Sequence, residues 1–189
     1  MSTFEELPQD LPAPHDNGAT DHLPGVRLPS RLLAGTSGEP VDLSKLSGLT
    51  VVYVYPMTGR PGEPLPAGWD AIPGARGCTP ESCGFRDRLA DLKAAGVAAV
   101  LGISSQSTSD QQEAQDRLSL PFELLSDADF AWADELRLPT FMADGRRFHG
   151  RLTLMVRDGT VEHVFYPVFP PDRHASDVVA WLHDNHATG

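Results

Sequence analysis

The chain has 189 residues, 40% of them hydrophobic and 22% charged, enough to pack one domain without a disulfide or metal staple. A net charge of −11 argues against nucleic acid or an anionic membrane surface as a partner. No apolar run approaches the ~18 residues of a membrane span, and Glu5, Glu6 and Asp10 stand where a secretory signal needs basic and apolar residues, so the expected location is cytoplasmic.

Residues 1–24, with Pro8, Pro12, Pro14 and Pro24 and no apolar period, read as a flexible Pro-rich arm ahead of a single domain over 25–189. Leu49 to Tyr55 is a near-continuous β-branched and aromatic run, as expected of a strand buried on both faces. Residues 59–77, with four prolines and five glycines, form a long loop without helix or strand periodicity. Thr79 to Ala95 is a helix, with Phe85, Leu89 and Leu92 on one face and Gly96 beyond its end. A strand over Val97–Ser104, a helix over Thr108–Leu118, a strand over Phe122–Leu125 and a helix over Asp127–Leu136 follow. Arg151–Arg157 and Thr160–Tyr166 pair through Asp158-Gly159, a strong hairpin signal, and a helix over Arg173–Asn185 closes the chain. The order is α/β and predicts a central mixed sheet flanked by helices on both faces.

Most catalytic signatures are missing. There is no dinucleotide or phosphate glycine loop, and Gly102-Ile103-Ser104-Ser105-Gln106 fails as a nucleophile elbow at its last position. The seven histidines read as scattered over the surface, so neither a metal nor a cofactor is expected.

Signal concentrates in Gly77-Cys78-Thr79-Pro80-Glu81-Ser82-Cys83-Gly84-Phe85-Arg86-Asp87. Thr79 reads as the N-cap and Pro80 as the first helical residue, which puts Cys78 at the helix mouth beside unpaired N–H groups. An ordinary thiol at ~8.5 is only about 3% thiolate at pH 7, and a helix terminus supplies at best ~2 kcal/mol toward changing that. A cation is therefore needed, and it must also neutralise Glu81, whose charge raises a neighbouring thiol. Residues five apart on a helix are turned by about 140° with Cα atoms about 8.7 Å apart, beyond the roughly 4.4–6.8 Å that a disulfide needs. Cys78 and Cys83 thus cannot bond while the helix is intact; Cys78 faces inward and Cys83 faces solvent. Spacing alone leaves open two unrelated thiols or a redox pair that closes only when the first turns unwind.

The same segment resembles the active-site segment of the peroxiredoxin Q group, also called bacterioferritin comigratory proteins. Val41-Asp42-Leu43-Ser44 and Val51 to Pro56 upstream, and Leu124 to Asp127 and Arg151 to Gly159 downstream, are similar to that family in the same order. The resemblance implies a thioredoxin-like fold and a thiol peroxidase. It makes Cys78 the peroxidatic cysteine and Cys83 the resolving one, closing an intramolecular disulfide that a thioredoxin-type dithiol would reduce. Arg151 falls at the family's catalytic arginine, with Glu81 positioning it. Hydroperoxides are the implied substrates. A cysteine pair on one helix favours a monomer over a dimer. The family's Pro-x-x-x-Thr-x-x-Cys is broken: Ala71 and Ala75 stand at its proline and threonine, and about 15 extra residues lie before Cys78. Thr58 or Thr79 would then supply the missing hydroxyl, and Trp69 and Ile72 would either cap the pocket or pack on the domain surface. A non-enzymatic redox sensor, or a one-cysteine peroxidase with Cys83 incidental, are the alternative functions.

Overall fold

The computed structural model describes residue 4 and residues 6–186; residues 1–3 and 5 of the expected arm, and 187–189, lie outside the described residues. In chain order the elements are β1 (Leu32–Gly35), β2 (Pro40–Asp42), β3 (Leu49–Val54), α1 (Cys78–Asp87), α2 (Leu89–Ala94), β4 (Val97–Ser104), α3 (Thr108–Leu118), β5 (Leu124–Ser126), α4 (Ala131–Leu136), β6 (Thr140–Ala143), β7 (Arg146–His149), β8 (Leu152–Arg157), β9 (Thr160–Phe165) and α5 (His174–His186). Seven strands form one sheet in the order β2-β1-β5-β4-β3-β8-β9, and β6 and β7 form a separate hairpin. The β3–β4 and β4–β5 pairs are parallel; all other pairs are antiparallel.

β3 lies inside the sheet, between β4 and β8, because every one of its residues can be buried. Side chains alternate across a strand, so Val51, Tyr53 and Tyr55 enter one core and Val52 and Val54 the other. The first core is closed by Phe85 of α1, Leu92 of α2, and Val178 and Leu182 of α5; the second by Trp132, Ala133 and Leu136 of α4. Helices cover both faces, as the sequence predicts. The β8–β9 turn runs through Asp158 and Gly159, both left-handed (φ 49° and 78°), the conformation a two-residue hairpin prefers.

Several predicted boundaries shift for identifiable reasons. The predicted helix over 79–95 is broken at Arg88, giving α1 and α2, and it begins at Cys78 with Gly77 as its cap. Thr79 is not the cap, because the capping position has φ 108° and a Cβ there would lie 2.3 Å from Pro171 Cγ. Pro80 is the third helical residue and still falls in the first turn, where no N–H partner is lost. α4 starts four residues later than predicted, since Asp127 stays outside it and accepts the N–H groups of Trp132 and Ala133 at 3.0 Å each. The β1–β2 and β6–β7 hairpins were too short to show a period of their own. The expected arm is anchored at its end: Leu23 is fully buried, and Gly25 and Val26 exchange hydrogen bonds of 2.8 and 2.9 Å with Val161 of β9.

Two histidines depart from the surface reading. His149 of β7 and His174 at the start of α5 are buried, and His174 Nε2 lies 2.8 Å from Thr153 Oγ1. Burial pushes His149 down to about 4, and burial with the charge of Arg151 pushes His174 down to about 3, both from 6.5. As pH falls below 6.5 the unfolded chain takes up these protons and the folded one does not, so stability is lost with acid. Glu81, pushed up by burial, acts in the opposite sense over the same range. Comparison with His174→Gln isolates one proton: the parent should lose about 1.4 kcal/mol more per pH unit than the variant between pH 6 and 4.5, read from urea unfolding. Parallel pH profiles for the two proteins would contradict this.

Candidate active site

Cys78 is the first residue of α1, and its sulfur is buried. The Met57 N–H points at Sγ from 3.4 Å, Arg151 Nη2 lies 3.2 Å away, and the thiol faces the Ala75 carbonyl at 3.7 Å. Met57 follows β3 by three residues, so the end of the central strand and the start of α1 meet at the sulfur. Ser82, one turn along α1, accepts a 3.0 Å hydrogen bond from the Tyr53 hydroxyl of β3 and fixes the helix against the sheet.

Arg151 stands immediately before β8 and is 4% exposed. Nε donates to the Gly74 carbonyl at 3.2 Å, and Nη2 to those of Ala75 and Arg76 at 3.1 Å each as well as to the sulfur. Nη1 donates to Glu81 Oε2. The cation required by the sequence argument is therefore the one expected, and it touches both Glu81 and Cys78. Its planar fork suits this role better than a lysine, since its donors are aimed in fixed directions.

Electrostatics in this pocket are a contest. Burial pushes the Cys78 thiol up, the charge of Arg151 pulls it down, Glu81 pushes it up, and the Met57 and Arg151 N–H groups pull it down. Burial wins in the closed pocket. The expectation of a thiol lowered outright is thus corrected: that argument counted the cation and the helix terminus and omitted desolvation. Glu81 is fully buried and pushed up to about 7, by burial first and against the attraction of Arg151.

Cys83 lies on α1 five residues from Cys78, half-buried against the core rather than open to solvent, and no disulfide joins the two. Thr58 is buried and held by Gln106: its N–H and hydroxyl donate to Gln106 Oε1 at 2.9 and 3.1 Å, and its carbonyl accepts from Nε2 at 3.2 Å. Its hydroxyl is spoken for. Thr79 Oγ1 is buried beside Cys78 in the chain and has no hydrogen-bond partner.

The long loop builds part of the site. Trp69 is buried against Phe148 (ring centroids 4.8 Å apart) and Phe141 (5.7 Å) of the β6–β7 hairpin, with Ile72 partly buried in the same cluster. Residues 74–76 at its end turn their carbonyls to Arg151. Sequence reasoning missed these carbonyls, the Met57 N–H and the Gln106 clamp. The first two are backbone groups with no residue signature, and Gln106 is one glutamine among several.

Among the described residues no helix is long and apolar enough to cross a membrane. A family model described as Redoxin matches residues 19–182. A putative peroxiredoxin bcp of Coxiella burnetii is 33% identical over 165 residues, 84% of this chain and 97% of that protein. Peroxiredoxin Bcp of Escherichia coli K12 is 32% identical over 174 residues, 88% and 96% of the two chains. The solved peroxidoxin BcpB of Mycobacterium tuberculosis superposes with a TM-score of 0.68 at 25% identity, over 87% of this chain and 99% of that one. The bacterioferritin comigratory protein of Xanthomonas campestris, at 22% identity, shares the fold with a TM-score of 0.64 over 95% and 100%. The fold is thioredoxin-like, and the chain belongs to the Redoxin family as a peroxiredoxin of the Q, or bacterioferritin comigratory, group, a thiol-dependent peroxidase.

Proposed function

We propose that Cys78 attacks the hydroperoxide, Cys83 resolves the product, and Arg151 holds the reacting sulfur and oxygen atoms. The observation that carries this is Arg151 Nη2 at 3.2 Å from the buried Cys78 Sγ. The thiolate attacks one peroxide oxygen; the S–O bond forms as the O–O bond breaks, leaving a sulfenic acid and releasing water or an alcohol. Charge spreads over the two oxygens during this step, and a buried guanidinium already in place stabilises it without reorganising. Thr79 supplies the hydroxyl that the broken motif lacks, because its oxygen is unpartnered while that of Thr58 is tied to Gln106. Cys83 then condenses with the sulfenic acid, expelling water and closing a disulfide that a thioredoxin-type dithiol opens by exchange. With both sulfurs on one helix no second subunit is needed, so the working unit is a monomer. A cytoplasmic location is kept as part of this reading.

Stopped-flow mixing with hydrogen peroxide tests the assignment. Cys78→Ser should abolish rapid peroxide consumption. Cys83→Ser should keep the first oxidation but lose thioredoxin-supported turnover, and the parent should lose about 2 Da after one equivalent, in one peptide holding both sulfurs. Unchanged turnover in Cys83→Ser would leave a one-cysteine enzyme; oxidation of Cys78 no faster than a free thiol would leave a sensor.

Closing the disulfide requires α1 to open. Hydrogen exchange over residues 77–90 should accelerate in the oxidised protein, and equal protection in both redox forms would refute the opening.

Thr79→Val should slow oxidation of Cys78 by roughly tenfold or more, as for loss of one donor to the reacting oxygens, while Thr58→Val changes it by less than about threefold. The reverse ranking would return the role to Thr58.

A further inference from the structure

Two acids share one cation in this pocket. Arg151 reaches Glu81 Oε2 through Nη1 and Cys78 Sγ through Nη2. The other carboxyl oxygen of Glu81, Oε1, is buried without a hydrogen-bond partner, an arrangement that costs most when the group is an anion. The titratable groups pressing on this cluster do not balance a second negative charge. Tyr53 of β3 and Tyr55 just beyond it are buried and kept neutral, and His174 of α5 is kept neutral by burial and by Arg151 itself. A thiolate and a carboxylate together would leave one anion uncompensated in a site closed to water.

We propose that Glu81 takes up the proton that Cys78 gives up, so that the pocket alternates between thiol with carboxylate and thiolate with carboxylic acid. One anion then faces one cation in both forms. When the thiolate attacks the peroxide, the S–O bond forms, the O–O bond breaks and the departing oxygen leaves as hydroxide or alkoxide. The departing oxygen takes a proton from water and the proton held on Glu81 is released to water, so Glu81 returns to carboxylate opposite Arg151 while the sulfur becomes a neutral sulfenic acid. The pocket's total charge is unchanged through the step. Glu81 is here a positioning residue that acts through Arg151 and through its proton, without touching the peroxide. Its elevated proton affinity, to about 7, allows it to hold that proton near neutrality. Interacting acids of this kind lose their protons in two separated steps that belong to the pair. The inference rests on Cys78 being the reacting thiol.

The test uses a Cys83→Ser background, in which Cys78 is the single thiol. Ultraviolet thiolate absorbance against pH should rise in two steps, whereas adding Glu81→Gln, which keeps an oxygen for Arg151, should give one step at lower pH. The fraction of thiolate and the oxidation rate at pH 6 should then rise at least about threefold. Infrared difference spectra between reduced and peroxide-oxidised protein should show a protonated-carboxyl C=O band that is lost on oxidation and is absent with Glu81→Gln. The infrared measurement needs only the Cys83→Ser parent, so it stands even if the glutamine variant fails to fold. One-step titration at an unchanged midpoint, or no carboxyl band in the reduced protein, would overturn the proposal while leaving the peroxidase assignment to the Cys78→Ser result. The titration reads proton sharing without peroxide, so it decides the proposal even if Cys78 is not the reacting thiol.

Discussion

The buried guanidinium of Arg151 is the contact on which the rest of the site depends. A charge with 4% exposure persists only if it is paired and its donors are met, and here they are met by three backbone carbonyls, a carboxylate and a sulfur. Those partners come from the end of the long loop and the first turn of α1, while the arginine itself precedes β8, which pairs with β3 inside the sheet. One side chain therefore fastens three segments distant in sequence around the sulfur. Removing it would cost more than a charge–charge contact, because Glu81 would remain buried without its cation.

This arrangement explains how the domain holds a long loop next to Cys78. A loop of that length before α1 would ordinarily loosen the approach to Cys78. Here the loop packs into a small core with the β6–β7 hairpin, Trp69 and Ala75 with Phe148 and Ala143, and delivers the carbonyls of residues 74–76 to Arg151. The loop is thus fixed at both ends, by the Gln106 clamp on Thr58 and by the arginine.

How much of this was legible follows from what leaves a mark in sequence. β3 could be read because every residue of Leu49–Val54 is buried, and the β8–β9 hairpin because its turn needs left-handed residues that Asp158-Gly159 supply. A cation shared by Glu81 and Cys78 was reachable because an acid beside a thiol demands one, and only the family resemblance pointed to Arg151 as that cation. The net effect on the thiol was not reachable, since desolvation depends on complete burial that no spacing reveals. Nor was the capping residue: Thr79 is the better cap by chemistry, but Pro171, 94 residues further along the chain, leaves room only for Gly77. The carbonyls around Arg151 belong to Gly74, Ala75 and Arg76, whose side chains play no part in those contacts.

The charge on the sulfur also bears on how α1 can be firm before the reaction and open after it. In the reduced state the helix is held by Phe85 in the core, by the Tyr53–Ser82 hydrogen bond, and by Arg151 on both Glu81 and Cys78. Burying a phenylalanine contributes about 1.5–3 kcal/mol, and the conformational entropy released by freeing a few residues is of similar size, so the helix start is closely balanced. Oxidation to a neutral sulfenic acid removes the attraction between sulfur and guanidinium while leaving the packing contacts unchanged. The reaction itself thus weakens the tie nearest Cys78, and Gly77 and Gly84 on either side of the cysteine pair lower the cost of rearranging the backbone between them. On the proposed mechanism the attraction between the Cys78 thiolate and Arg151 ends when the S–O bond forms, which frees the first residue of α1, while Arg151 stays paired with Glu81 one turn along.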